Sequence, residues 1–268
     1  MVIEGRPVSI APVACRISVQ VVACLWLFAT VADAAEIRVM ISGGFSAAYA
    51  ELLREFERTT RHTLVTSRGA SMGTTPDSIP SRLQRGEPVD VFIMVGDALE
   101  ELNKQGKVAT GSRVDLAHSR IGLAVRAGAP KPDIRTVDGF KRAMLEAKSI
   151  AISTSASGTF LSNELFPRLG IADERRSKTR SVSGEAAGAP VARGEAEIAL
   201  QQISELLPVK GIDYVGALPA EIQKVTVFSA AIAAGAKEPE AARALLQFLA
   251  SRAAAPAIAK SALEPLAR

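Results

Sequence analysis

Three short stretches place hydroxyl groups and glycines where an apolar strand runs into a helix, and that combination suits an anion. The first, Ile37–Tyr49 (IRVMISGGFSAAY), reads as a strand carrying Ile37, Val39 and Ile41, then Ser42, Gly43 and Gly44, then a helix beginning near Phe45. Glycines let the backbone approach a ligand closely, and the first-turn N–H groups of a helix have no intrahelical acceptor. The second, Thr63–Met72 (TLVTSRGASM), repeats the design and adds a cation: Arg68 stands just before Gly69, Ala70 and Ser71. The third, Ala151–Gly158 (AISTSASG), offers Ser153, Ser155 and Ser157 ahead of a helix expected over Thr159–Leu165. Any one of these is also an ordinary tight turn. Three together, with hydroxyls, N–H groups and one guanidinium, point to a pocket for a small anion at the carboxyl edge of a sheet.

Other chemistries find little support. His62 and His118 are isolated, with no spaced carboxylates, so neither a metal site nor a cofactor is expected. There is no G-x-S-x-G elbow for a serine hydrolase. The chain has a net charge of +4 but only two tyrosines, nine phenylalanines and no long basic run, which fits small anions better than nucleic acid.

Residues 1–34 read as a cleavable export signal. Arg6 and Arg16 supply the positive region, Val21–Val31 a short apolar run, and Ala32-Asp33-Ala34 an A-x-A cleavage site. The run is too short for a membrane anchor, and the expected location is the periplasm. Val21-Val22-Ala23-Cys24 loosely resembles a lipid-attachment box, but apolar sequence continues past Cys24, so cleavage after Ala34 is favoured. Cys15, Cys24 and Trp26 leave with the signal, removing any thiol. The charge stays at +4, since Arg6 and Arg16 depart with Glu4 and Asp33.

The elements that must position the turns follow in order. Residues 47–60 carry Leu52, Leu53 and Phe56 on one face and charges on the other, the pattern of an amphipathic helix. Val89–Val95 (VDVFIMV) is nearly continuous apolar sequence, as expected for a strand buried on both faces. Strands at Leu64–Thr66, Ser119–Arg126, Ile150–Ser153, Glu197–Gln202, Ile212–Gly216 and Val225–Ala233 alternate with helices at Ile79–Arg85, Ala98–Gln105, Val137–Ala147, Ala187–Arg193 and Glu240–Ala250. The βαβ order calls for parallel pairing with right-handed crossovers. The fold class is therefore α/β.

SGGFSAAY, the Gly69–Ser71 turn, RGEPVDVFIM (85–94), SRIGLAVRAGAP (119–130), SASGTF (155–160), ARGEAEIALQQISEL (192–206) and the terminal LEPL together resemble the molybdate-binding branch of the type II periplasmic solute-binding proteins. The resemblance spans residues 35–268. It implies two α/β lobes joined by two crossing strands, with a ligand cleft between them. Lobe one would be 35–117 plus 223–268, and lobe two 118–222. It also implies a monomer that hands an anionic ligand to a membrane permease with its ATPase.

The site residues implied are Ser42, Gly43, Gly44, Phe45, Arg68, Ser71, Met72, Ser155, Ser157, Gln201 and Gln202. Several depart from that branch's pattern. The first-turn serine falls on Gly44, Arg68 precedes the second-turn Ser71, residues 73–78 are an insertion, and the tyrosine position falls on Gln202. A dry tetrahedral oxyanion gains nothing from a guanidinium, whereas a planar carboxylate takes paired hydrogen bonds from one. A di- or tricarboxylate is the expected ligand. The first reading is a receptor for import. The alternative is an exported, cofactor-free aconitate isomerase of the same branch, which shifts a proton between two allylic carbons and needs a base. Glu185, in SGEAAG, is the carboxylate first considered for that role.

Overall fold

The computed structural model describes Met1, Val2, Gly5 and residues 34–266. The charged and apolar regions of the expected export signal, with Cys15, Cys24 and Trp26, lie outside the described residues. From residue 34 onward the chain is built on two sheets.

The first sheet takes its elements from both ends of this region. β1 (Glu36–Ile41), α1 (Ser46–Thr60), β2 (Thr63–Arg68), α2 (Ile79–Gln84), β3 (Val91–Val95), α3 (Gly96–Lys104) and β4 (Val114–Ser119) come first. The second sheet then follows through β5 (Ile121–Arg126), α4 (Val137–Glu146), β6 (Ile150–Ser153), α5 (Ala156–Phe160), α6 (Phe166–Arg168), α7 (Ala172–Arg176), β7 (Thr179–Val182), α8 (Gly188–Ala192), β8 (Ile198–Gln202), α9 (Ile203–Leu206) and β9 (Ile212–Ala217). The chain returns to the first sheet with β10 (Thr226–Ile232), α10 (Pro239–Leu249), α11 (Ala255–Lys260) and β11 (Glu264–Pro265).

The strand orders are β11-β4-β10-β3-β1-β2 and β7-β6-β8-β5-β9. β1 lies parallel to both β2 and β3, while β10 runs antiparallel between β3 and β4. In the second sheet β6 is parallel to β7 and β8, and β5 is antiparallel to β8 and β9.

Period-two alternation explains why both faces of the first sheet are covered. Ile37, Val39 and Ile41 of β1 join Leu52 and Phe56 of α1 and Leu245 of α10, while Met40 faces the other way with Phe92, Met94 and Leu99. β3 is buried at all five positions, as its apolar run predicts. In the second sheet Ile121, Leu123, Ile150 and Leu200 pack with Phe140 and Met144. The opposite face is lined by Ala124, Ala151 and Ala199, against which α8 sits through Val191.

Two joints differ from expectation. The strand expected over Ser119–Arg126 is β5, which starts at Ile121; Ser119 instead ends β4, a strand not expected from sequence, separated from β5 by Arg120 alone and belonging to the other sheet. VDLAHS does not read as a strand by pattern. Asp115 tolerates its place because its carboxylate accepts from Ser229 Oγ at 2.6 Å and from Arg113 Nε at 3.0 Å. The helix expected over Thr159–Leu165 begins earlier, at Ala156, and passes through a wider π-turn at Leu161–Leu165.

Both connections between the sheets are bonded by side-chain amides. Gln223 accepts from the Ile121 N–H and donates to the Ile121 carbonyl, each at 2.9 Å, much as a strand neighbour does. Gln202, at the end of β8, accepts from Ser119 Oγ at 2.7 Å and donates to Thr226 Oγ1 at 3.1 Å. One buried carboxamide thus touches the last residue of β4 and the first of β10.

Candidate active site

The three turns meet. Ser42, Gly43 and Gly44 follow β1, Arg68 ends β2 and Gly69–Ser71 follow it, and Ser153 ends β6 and residues 154–157 follow it; all line one cavity of about 490 Å³. That volume lies within the range of small-molecule sites. The ends of β8 and the start of α9 close the cavity through Gln201, Gln202, Ser204 and Glu205.

Each turn is held by backbone geometry. Ser42 donates its N–H to the Ile93 carbonyl and Gly69 donates to Ile41, tying the first two turns to the sheet edge. Ile79 donates back to Ala70, so the inserted residues 73–78 form a closed loop that brings Asp77 to the cavity. Gly158 is dictated by close approach, since a Cβ there would collide with the Ser153 carbonyl.

The donors are mostly neutral. Ser71 is fully buried and its Oγ accepts from the Val95 N–H at 3.0 Å, which leaves its proton to donate. Ser42 Oγ is buried on the cavity wall without a partner among the described residues. An orphaned hydroxyl at such a position costs stability unless a ligand supplies the partner. Ser153 and Ser157 share a hydrogen bond at 3.1 Å, and Ser153 Oγ accepts from the Ser155 N–H at 3.3 Å. Arg68 is an exposed cation at the cavity's edge and forms no side-chain ion pair among the described residues.

Two acids from the segment that builds the second sheet face this cavity in different ways. Glu185 is gripped by Arg193, which donates from Nη1 and Nη2 at 2.9 and 2.8 Å. Those hydrogen bonds hold its pKa below the usual carboxylate range. Glu205 has no ion pair among the described residues. Burial pushes it up to about 7, partly offset by a hydrogen bond from Gln201. The Gln201 oxygen accepts from the Ala187 N–H at 2.7 Å, which turns its amide nitrogen towards Glu205.

Of the residues expected from sequence, Ser42, Gly43, Gly44, Arg68, Ser71, Ser155, Ser157, Gln201, Gln202 and Glu185 line the cavity. Phe45 and Met72 do not. Phe45 is a core residue of lobe one, fully buried with its ring 6.5 Å from that of Phe228. Met72 follows Ser71, which takes the inward position. Gln202 reaches the cavity, but its carboxamide is spent on Ser119 and Thr226. Glu185, bound by Arg193, is a poor base. The expected site lacked Glu205. Its only sequence signal was an acid just beyond a strand already expected to end at the cleft.

Residues 37–263 match the family model described as bacterial extracellular solute-binding protein. The chain belongs to that family. Within it, this solute-binding protein is 49% identical over 228 residues to a protein from Pseudomonas sp. named aconitate isomerase, covering 85% of this chain and 87% of the relative. It is 28% identical over 231 residues to the molybdate-binding protein ModA of Azotobacter vinelandii, covering 83% and 87%. The solved periplasmic molybdate-binding protein of Azotobacter vinelandii superposes with a TM-score of 0.69 at 22% identity, over 85% of this chain and 98% of that one. The architecture is the two-lobed type II fold of the periplasmic binding proteins, with the cavity between the lobes. Among the described residues, no helix is long and apolar enough to cross a membrane.

Proposed function

We propose that this solute-binding protein is an isomerase of an unsaturated tricarboxylate, interconverting cis- and trans-aconitate. Glu205 carries the reading. A receptor for a polyanion gains nothing from an acid inside its cleft, because the ionised form repels the ligand. An acid titrating near neutrality exists in both protonation states at working pH, which is what general acid–base catalysis uses. The 49% identity to a protein named aconitate isomerase supports the same conclusion.

The chemistry balances without a cofactor. Glu205 takes a proton from the substrate methylene, and the electron pair delocalises across the three-carbon allylic unit into an adjoining carboxylate. The double bond shifts, and the proton returns from Glu205 to the far carbon. Ser42, Ser71 and the N–H groups at the start of α5 hold the carboxylates, and Arg68 offsets their charge. Glu185 keeps Arg193 in place at the rim.

The protein reaches the periplasm through the signal in residues 1–34, with cleavage after Ala34, and works there as a monomer with the lobes dividing near residues 118 and 222. The receptor reading, in which a carboxylate is captured for a permease with its ATPase, has the family itself in its favour. One experiment divides the two. Purified protein is titrated with trans-aconitate, citrate and molybdate by calorimetry, and the trans-aconitate sample is then assayed for the cis isomer. Binding of trans-aconitate with conversion is the expected result. Tight binding without conversion leaves a receptor, and preference for molybdate refutes both carboxylate readings.

A further inference from the structure

The residue before Glu205 makes a contact that the proposed chemistry does not use. Ser204 is buried, and its Oγ donates to the Gly44 carbonyl at 2.7 Å. Ser204 stands on lobe two, in α9, and Gly44 on lobe one, in the turn after β1. This bond therefore exists only when the lobes are together. The adjacent position of that turn is shaped for the next residue of α9: a Cβ on Gly43 would run into Glu205 Oε1. Consecutive residues of α9 thus dock on consecutive glycines of the opposite lobe.

We infer that Ser204 is the positioning residue that couples lobe closure to assembly of the base. Its hydrogen bond to Gly44 seats α9 so that the Glu205 carboxyl lies over Gly43, half-buried and facing the cavity. With the lobes apart, Glu205 returns to water and loses the environment that suits it to proton transfer. The catalytic part of this inference rests on the isomerase reading; the seating of Glu205 does not.

The surroundings keep the device simple. The Gly43–Phe45 turn carries no charged group, β8 contributes the neutral Gln201 and Gln202, and the β5 residues Ile121–Val125 are uncharged. From α1 the residues lining the cavity are Ser46, Ala47 and Ala50, also neutral. Arg68, Asp77 and Glu185 are the charged residues elsewhere on the cavity wall, and none pairs with Glu205. Closure itself, by excluding water, sets the state of this acid.

The test reads Glu205 without needing turnover. Melting temperature is followed from pH 4.5 to 8 in the wild type, Ser204→Ala, Ser204→Thr and Gly43→Ala, each with and without Glu205→Gln. The part of the pH dependence that Glu205→Gln removes measures the seated acid. It is expected to be large in the wild type, to shrink in Ser204→Ala and Gly43→Ala, and to persist in Ser204→Thr, which keeps the hydroxyl. Turnover of trans-aconitate is expected to fall about tenfold in Ser204→Ala, the scale of one lost buried hydrogen bond, with kcat affected more than KM. An unchanged Glu205-dependent increment in both Ser204→Ala and Gly43→Ala overturns the inference. A wild type that shows the Ser204-dependent increment but never converts trans-aconitate keeps the latch and removes the isomerase reading.

Discussion

Glu185 and Glu205 stand on the same lobe and face the same cavity, yet their surroundings prepare them for opposite work. Glu185 is at the rim, open to water and clasped by a guanidinium that also holds Glu195. Glu205 is half-buried against the glycine turn of the other lobe, with a carboxamide for company. The first is a permanent anion that fixes an arginine. The second is close to balanced between acid and base. The difference lies in the neighbours, since the two side chains are identical.

The largest effect that tests this contrast is on turnover. Glu205→Gln is expected to lower kcat for trans-aconitate by about 10²–10⁴-fold, the usual contribution of a general acid–base group. Glu185→Gln should stay within severalfold of wild type. Equal losses in both variants would erase the distinction.

Stability against pH sharpens the same comparison. Glu205 has its acid form favoured on folding, with the pKa raised from 4.5 to about 7. Its contribution is fully present below pH 4.5 and is lost as the pH rises through about 7. The loss is at most about 3 kcal/mol, and Glu205→Gln should abolish it in pH-dependent melts. Glu185 runs the other way: its lowered pKa makes its contribution present at neutral pH and lost on acidification. Being exposed, that pair is worth less than about 1 kcal/mol.

Arg68 separates holding the ligand from moving its proton. Arg68→Ala should weaken tricarboxylate binding by about 1.5–3 kcal/mol, the scale of a hydrogen bond to a charged group. Calorimetry at two salt concentrations checks this. The defect should narrow at high salt, because an exposed cation is screened.

The smallest expected effect concerns the lobe connections. Gln202→Leu should cost about 1–3 kcal/mol by leaving Ser119 Oγ and Thr226 Oγ1 without their buried partner. Turnover at saturating substrate should change little, because Gln202 spends its amide on the strands. Urea melts beside saturating assays would show whether stability and turnover move separately.

Much of the pocket was legible in the sequence for a local reason. Ser42–Gly44 and Ser155–Ser157 each sit where a strand runs into a helical turn and Arg68–Ser71 where β2 ends, and β1 and β2 of one sheet and β6 of the other bring these ends to one cavity. Gln201 and Gln202 were readable as the end of β8. What was not legible depends on residues that meet only in the fold. Nothing near Glu205 in the chain reveals that Gly43, far away in sequence, will lie against its carboxyl. Nor does SGEAAG reveal that Arg193 will reach back to Glu185. The resemblance implied Phe45 as a ligand contact, but its ring is drawn into the core beside Phe228. β4 was hidden because Asp115 and His118 break its apolar pattern, and Ser229, which helps to admit Asp115, comes from β10.

The central claim is that Glu205, and not Glu185, moves the proton. Purified wild type, Glu205→Gln and Glu185→Gln are each incubated with trans-aconitate in deuterated water, and the cis isomer is followed by NMR. The account predicts that wild type and Glu185→Gln convert trans-aconitate to the cis isomer, while Glu205→Gln binds trans-aconitate and leaves it unconverted. Conversion by Glu205→Gln at the wild-type rate, or no conversion by the wild type, would contradict it.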